Sequence, residues 1–169
     1  NCTYVFSSNT KILIDIGVST KRVVESLTKL NIEPSEINGI LITHEHSDHT
    51  KHIVPILDKT NAALFINQIS FDYLGEDIKT KIINKKIFFI DKERKYSVND
   101  IIIVPIELSH DSRNIFGFLI KAEDQNIGIV TDTGIVPEKY FSLLQKMNIL
   151  FFESNHDIDM LLNSKRPWH

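Results

Sequence analysis

The chain has 169 residues and a formal net charge of -3 at pH 7; 42% of its residues are hydrophobic and 24% are charged. This size and composition predict a single globular domain, and the negative charge excludes binding of polyanions through a general basic field. The one cysteine, Cys2, excludes an internal disulfide and a cysteine-based zinc cluster, and no apolar run is long enough for a membrane span, so we expect a cytoplasmic protein with no membrane partner.

In the first half of the chain, short β-rich runs alternate with helical patterns. The predicted strands are residues 3–6, 11–16, 40–43 and 63–66. The predicted helices are residues 20–30, 48–58 and 68–74. Ser19 is the expected N-cap of the first helix, and Pro55 is expected to tighten or kink the second.

The second half of the chain is richer in strands. Four strands are predicted over residues 86–90, 101–108, 115–121 and 127–131. Pro137 begins a predicted helix that reaches residue 147, and residues 148–152 predict a last buried strand. The pair Phe88 and Phe89 is assigned to the core. Hairpins interleaved with helices predict an α/β or α+β fold in which sheets are covered by helices.

Clusters of acids and histidines follow the carboxyl ends of four predicted strands. The clusters are residues 43–49 (THEHSDH), 109–111 (SHD), 131–134 (TDTG) and 153–157 (ESNHD). Open α/β sheets place their ligand crevice at the carboxyl ends of their strands. We therefore expect the four clusters to meet at one edge of a sheet.

The spacing inside residues 43–49 predicts two neighbouring metal positions. His44 and His46 are two residues apart, so in an extended segment their side chains leave the same face and can share one ion. Asp48 and His49 lie beyond the expected bend and face a second point. The alternative is a solvated polar loop in which Asp48 serves as a helix cap.

Two residues elsewhere in the chain are candidates for the remaining ligands. His110 would supply a remote histidine, and Asp132 would supply oxygens that both ions share. Taken alone, His110 could be a buried histidine bonded to a backbone carbonyl, and Asp132 could be a turn residue. Because the other clusters also carry candidate ligands at strand ends, we favour a metal-ligand role for both residues. Imidazole and carboxylate together suit zinc, manganese or iron better than calcium.

Three further polar residues have other expected roles. Asp15 stands between two apolar residues and needs partners, so we expect it to accept hydrogen bonds from the histidine loop without touching a metal. His156 has two open roles, a contact with a substrate phosphate and a structural hydrogen bond. His52 is expected on the helix, with no metal bound.

The motif His-x-His-x-Asp-His at residues 44–49 resembles the hallmark of metallo-β-lactamase-fold hydrolases. Further segments resemble the YycJ (WalJ) subgroup of that family; they are residues 1–5 (NCTYV), 13–17 (LIDIG), 108–111 (LSHD), 131–134 (TDTG), 153–157 (ESNHD), 160–161 (ML) and 166–168 (RPW). The resemblance implies an αββα sandwich with a binuclear metal site, in a subgroup of cytoplasmic bacterial DNA exonucleases. It assigns one metal to His44, His46 and His110. It assigns the other to Asp48 and His49, with Asp132 as the bridge.

The family pattern extends beyond both ends of this chain. The family has a first strand ahead of residue 1 and a further metal-binding histidine in a C-terminal segment. We therefore expect residues 1–169 to be one metallo-β-lactamase-like domain truncated at both ends, with an incomplete sandwich. His169 is not taken as the missing ligand.

The leading hypothesis is metal-dependent hydrolysis of a phosphodiester, with DNA as substrate. Two divalent ions about 3.5–4 Å apart, zinc or manganese with iron as a third option, would share a water and lower its pKa toward about 7. Asp48 would orient that water or accept its proton. One alternative is hydrolysis of a thioester, lactone or small cyclic phosphodiester on the same scaffold. The other is a catalytically silent metal-binding or interaction domain.

Overall fold

The computed structural model describes residues 1–153 as two five-stranded sheets that share a core. The first sheet has the order β1 (Thr3–Phe6), β2 (Lys11–Ile14), β3 (Gly39–Leu41), β4 (Ala63–Ile66) and β5 (Ile87–Phe89). The strands of the second sheet are numbered along the chain as β6 (Tyr96–Val98), β7 (Ile101–Glu107), β8 (Phe116–Ala122), β9 (Gln125–Val130) and β10 (Ile149–Phe152). In space they follow one another from β10 to β6, so that β8 is central.

Helices cover the outer face of each sheet. They are α1 (Thr20–Lys29), α2 (Ser47–Thr50), α3 (Ile53–Leu57), α4 (Gln68–Asp72), α5 (Glu76–Ile82) and α6 (Phe141–Leu144), with 3-10 helices at Pro34–Glu36 and Glu138–Tyr140. Apolar side chains of α1, α3 and α5 pack on the first sheet, and those of α6 pack on the second. The expected αββα layering is confirmed. Among residues 1–153, no helix combines the length and apolar character that crossing a bilayer requires.

The strand directions follow from the connections between the strands. The polar residues 7–10 turn β1 into β2 as an antiparallel hairpin, and helical crossovers then make β2 to β5 parallel. In the second sheet, short turns make β6 to β9 antiparallel, and the crossover through α6 places β10 parallel to β9. Because β7 and β9 are both antiparallel to β8, they run in the same direction, and their carboxyl ends lie at the same end of the second sheet.

The first helix forms where the sequence predicts it. The Ser19 side chain accepts a hydrogen bond from the Arg22 N–H at 3.3 Å, which satisfies one of the free amides of the first turn. Val23 and Leu27, one helical turn apart, are buried against the first sheet. Lys29 lies in the last turn, where a positive charge complements the helix dipole.

The helix expected over residues 48–58 is instead two short helices, α2 and α3, and the break is not at Pro55. The N–H of His52 donates to the carbonyl of Ile16 at 3.0 Å rather than to a carbonyl of its own helix. That bond ties the turn to the end of β2 and interrupts the helical ladder. Pro55 lies in the first turn of α3, where its missing N–H costs nothing.

Two predictions of burial are wrong because, within residues 1–153, the residues lie on edge strands. All four residues of β10 are exposed, by 42–51%. Phe88 and Phe89, assigned to the core from the sequence, are 40% and 47% exposed on β5. A strand with one neighbour leaves much of its surface open, and an apolar run alone does not show whether its strand is central or at an edge.

Candidate metal centre

The candidate site lies at one edge of the sandwich and takes residues from both sheets. The histidine loop follows β3 of the first sheet, whereas His110 follows β7 and Asp132 follows β9 of the second. The Phe116 N–H donates to the Thr43 carbonyl at 3.0 Å and joins the two sheets at this edge. The expectation that one sheet carries every cluster is therefore wrong: both sheets contribute strand ends.

Three histidines form the first ligand group. His44, His46 and His110 each offer a ring nitrogen, and these atoms all lie within 4.8 Å of one another. The ring centroids of His44 and His46 are 4.6 Å apart, and each lies 5.1 Å from that of His110. The structure thus brings together the three residues that the sequence assigns to one ion.

A second group shares His44 with the first. His44, His49 and Asp132 also offer ligand atoms within 4.8 Å, and His49 Nε2 lies 2.9 Å from Asp132 Oδ2. Asp48, which the sequence pairs with His49, approaches the same nitrogen at 3.4 Å with a side chain that is 70% exposed. Of the two carboxylates near His49 Nε2, that of Asp48 is therefore the one that faces solvent.

Hydrogen bonds behind the rings orient the two buried histidines. Thr43 Oγ1 lies 3.0 Å from Asp15 and 2.9 Å from His44 Nδ1, so the hydroxyl donates to the carboxylate and accepts from the ring. This assigns the proton of His44 to Nδ1 and leaves the lone pair on Nε2. His44 Nε2 is buried and has no hydrogen-bond partner among the described residues.

Asp15 has the environment expected for a residue that braces the loop. It accepts hydrogen bonds from the Thr43 N–H at 2.9 Å and from His49 Nδ1 at 2.8 Å. It is buried and is not a member of either ligand group. His49 Nδ1 is thereby held, and its Nε2 faces Asp132.

The two buried histidines differ in protonation. Burial and the repulsion of neighbouring histidines lower the pKa of His44 to about 3, so its ring is neutral near pH 7. Burial would also lower the pKa of His49, but hydrogen bonds to Asp132 and Asp15 outweigh burial and raise the pKa to about 9. The bond from His49 lowers the pKa of Asp132 in turn. His44 is ready to bind a cation, whereas His49 carries a proton that a cation must displace.

Sequence reasoning missed two residues at the site. The Asn1 side-chain nitrogen lies 3.0 Å from His49 Nε2 and 3.3 Å from Asp132 Oδ2. Glu45 accepts from the Arg113 N–H at 2.8 Å and from the Ser70 hydroxyl at 3.1 Å, joining the histidine loop to the loop after His110. The local signal for Glu45 was its position between two candidate ligands, and that for Asn1 was its place in the segment of residues 1–5 that resembles the YycJ (WalJ) subgroup.

The sequence analysis named two further histidines, His52 and His156. His52 is the N-cap residue of α3, makes no side-chain capping bond and is half-buried; it belongs to neither ligand group, and the expectation that it binds no metal stays a prediction. His156 lies outside the described residues 1–153, so its two expected roles stay predictions.

Comparison with protein families and curated relatives gives one consistent result. A family model described as a beta-lactamase superfamily domain matches residues 10–169. The chain is 28% identical over 168 residues to exodeoxyribonuclease YycJ of Bacillus anthracis, and 29% identical over 174 residues to exodeoxyribonuclease WalJ of Streptococcus pneumoniae serotype 2. Each match covers 99% of this chain and 63% of the relative, so the chain spans less than two thirds of either protein.

Solved structures show the same fold at low sequence identity. Zn(2+)-bound PqqB of Methylobacterium extorquens superposes with a TM-score of 0.77 and 12% identity, over 94% of this chain and 62% of that one. The metallo-beta-lactamase fold protein YhfI of Bacillus subtilis gives a TM-score of 0.69 and 14% identity, over 89% and 61%. These matches and the relatives confirm the resemblance inferred from the motifs.

Proposed function

The chain belongs to the beta-lactamase superfamily, and from that membership we propose that it is a metal-dependent phosphodiester hydrolase that acts on DNA as an exonuclease. The observation that carries the proposal is the buried, unpartnered Nε2 of His44, which both ligand groups share. A buried polar atom without a partner is costly, and a cation between the two groups would satisfy it.

The donor atoms fit divalent transition metals. The first ion would be held by His44, His46 and His110, three imidazoles whose nitrogens already converge. Zinc, manganese and iron accept imidazole readily, whereas calcium prefers oxygen. The PqqB structure, which shares the fold, was solved with zinc bound, so zinc is the first metal to test.

The second ion would lie beside His49, where two carboxylates approach one ring nitrogen. Asp132 is 2.9 Å and Asp48 3.4 Å from His49 Nε2. Asp132 belongs to one ligand group with His44, and the family resemblance implies that both ions would share it. Divalent ions in such a centre lower the pKa of bound water and offset negative charge on phosphoryl oxygens.

Within this proposal, the chain's own residues position the reactants and move one proton. Asp48 is exposed at the mouth of the site, so its carboxylate is free to orient a water and to accept its proton. Asp15 and Thr43 hold the rings of His49 and His44 from behind and keep the ligand atoms pointed at the site.

The choice of DNA rests on the names of the two relatives, both exodeoxyribonucleases. A protein with a net charge of -3 can accept a polyanion when bound cations dominate the local field. We propose a cytoplasmic location, as the resemblance to cytoplasmic bacterial DNA exonucleases implies. Hydrolysis of a thioester, lactone or cyclic phosphodiester is the outcome to test against this choice.

Exonuclease assays on the full-length protein test the proposal. End-labelled linear DNA should be degraded with zinc or manganese present and left intact after chelation. His46→Ala should lose bound metal. Asp48→Ala should keep the ion held by His44, His46 and His110, yet lower kcat/KM by roughly 100-fold or more, the usual contribution of a positioned base.

His52→Ala is the matched control, because His52 lies six residues after His46 but belongs to neither ligand group. It should degrade DNA at the parent rate. Equal activity of Asp48→Ala and the parent would contradict the role of Asp48. Turnover of acyl thioesters with DNA inert under every metal would replace the proposed substrate.

A further inference from the structure

An exposed aromatic ring beside the metal centre carries a cation on one face. Tyr73, at the C-terminal end of α4, is 58% exposed. The guanidinium of Arg113 lies 5.0 Å from the centroid of its ring. Two residues near Tyr73 in the chain, Ser70 and Leu74, are buried, so the exposure of the ring does not come from a loose segment. We call Tyr73 and Arg113 the stacking pair.

The stacking pair is joined to the histidine loop by direct hydrogen bonds. The Arg113 N–H donates to Glu45 at 2.8 Å, and Glu45 stands between His44 and His46. On the other side, Ser70 of α4 donates to Glu45 at 3.1 Å. Glu45 therefore holds the backbone of Arg113, and the helix that ends at Tyr73, next to the histidine loop.

We propose that the stacking pair binds an unpaired nucleobase of the strand whose phosphodiester enters the metal centre. The inference rests on the proposed function and adds the subsite that recognises the substrate. An aromatic face next to a planar guanidinium is the surface on which single-stranded bases stack, with the cation free to meet a phosphate. A base inside a duplex is already stacked on both faces, so the pair selects frayed or single-stranded ends.

The nearby acidic groups already have partners. The carboxylate of Glu45 accepts from the Arg113 and Ser70 donors, and that of Asp72 accepts from the Gln68 amide at 2.8 Å. The donors of these bonds are neutral, so both carboxylates keep their charge; the guanidinium of Arg113 supplies the positive charge at the ring that an anionic strand would meet.

Single abasic substitutions in the substrate test the stacking pair. The full-length, metal-loaded protein is assayed on short single-stranded DNA in which one base at a time, counted from the cleaved end, is removed. In the parent, removal of the base at one position should lower kcat/KM by roughly 5- to 100-fold, which is the range for the loss of one base–aromatic stack. In Tyr73→Ala, the intact strand should show that same loss, and the abasic position should cause no further loss.

Conservative variants separate stacking from folding. Tyr73→Phe keeps the ring and should behave as the parent, whereas Arg113→Lys keeps the charge but not the plane and should recover only part of the loss of Arg113→Ala. Phe6→Ala is the matched control: Phe6 is 63% exposed and pairs with Lys11, at the edge of the first sheet opposite the metal centre. It should change neither activity nor abasic sensitivity.

The results distinguish this inference from the proposed function. Suppose that the parent cleaves DNA and that removal of the base lowers kcat/KM as much in Tyr73→Ala as in the parent. The proposal that Tyr73 and Arg113 bind a base is then overturned, and the proposed function stands. Loss of bound metal in Tyr73→Ala, with metal kept in Tyr73→Phe, would assign the ring a structural role and also overturn the inference. If the metal-loaded parent cleaves no DNA, the proposed function fails and the stacking pair fails with it.

Discussion

At the scale of single residues, the site depends on how hydrogen bonds divide two adjacent buried histidines. Thr43 and Asp15 together hold the Nδ1 atoms of His44 and His49 and turn both Nε2 atoms toward the site. The two rings differ in charge because only His49 donates to carboxylates on both sides. This difference predicts how metal binding depends on pH.

Binding of metal beside His49 should release about one proton near pH 7, because the pKa of His49 in the metal-free protein is about 9. Apparent affinity for that ion should rise roughly tenfold per pH unit and level off as the pH passes the pKa. Calorimetric titration with zinc in two buffers of different ionisation enthalpy measures the number of protons released.

Asp15→Asn is the control for this pH dependence. It keeps an oxygen that accepts from His49 Nδ1 but removes the charge that raises the pKa of His49. Proton release at pH 8 should therefore be smaller in the variant than in the parent. Equal proton release at pH 7 and above pH 9 in the parent would contradict the assignment.

At the scale of elements, the ends of the strands rather than their middles shape the site. Asp15 after β2 and Asp132 after β9 have φ angles of 60° and 52°, in the left-handed region. Each such residue costs on the order of 1 kcal/mol, and aspartate tolerates the conformation better than most residues. Their side chains both contact His49, so the turns that end the two strands direct carboxylates at one ring.

Gly17 allows α2 to pack against the end of β2. A Cβ at this position would lie 1.3 Å from the carbonyl oxygen of Asp48. Gly17→Ala must therefore displace the turn that carries Asp48 and His49. We expect a loss of about 3 kcal/mol or more in the free energy of unfolding, measured by urea denaturation, together with weaker metal binding.

Gly75→Ala is the matched control for this substitution. Within residues 1–153, no atom beyond its two chain neighbours lies within 4 Å of a Cβ built at Gly75, the N-cap residue of α5. It should change stability by less than about 1 kcal/mol and leave metal binding unaltered. Similar losses in the two variants would show that the close approach at Gly17 does not matter.

At the scale of the whole molecule, the site joins two sheets. The first sheet supplies the three histidines of residues 43–49, and the second supplies His110 and Asp132. The sheets also share an apolar core that includes Ile14 and Phe118. An ion bound by ligands from both sheets would cross-link the sandwich at its edge.

Metal should therefore stabilise the fold. Zinc at about 100 times its Kd adds about 2.7 kcal/mol to the free energy of unfolding, which corresponds to a Tm increase of roughly 5–10 °C for a chain of this size. Thermal denaturation of the chelator-treated protein, with and without zinc, measures the shift. His110→Ala removes the ligand of the second sheet and should lose most of the gain; an unchanged shift would contradict the cross-link.

Much of the fold was predictable because strand and helix signals are local. The hairpin of residues 3–14, the cap at Ser19 and the strand before the histidine loop are all found as predicted. The strand β6 and the helix α5 were missed. Each is short, and α5 exposes most of its residues, so neither has a strong apolar pattern. The exposure of the side chains on β5 and β10 depends on which strands lie next to them in the sheet. A local sequence pattern does not contain that information.

By itself, the sequence determined the kinds of ligand and the positions along the chain at which they stand. Spacing and strand ends are properties of adjacent residues, so His44, His46 and Asp48 could be identified as candidates without coordinates. The tertiary structure decided which of these side chains bring their ligand atoms close together. It placed His44 in both groups, set Asp48 in solvent and brought Asp132 to His49. These outcomes depend on the packing of one sheet against another, which no short segment of sequence encodes.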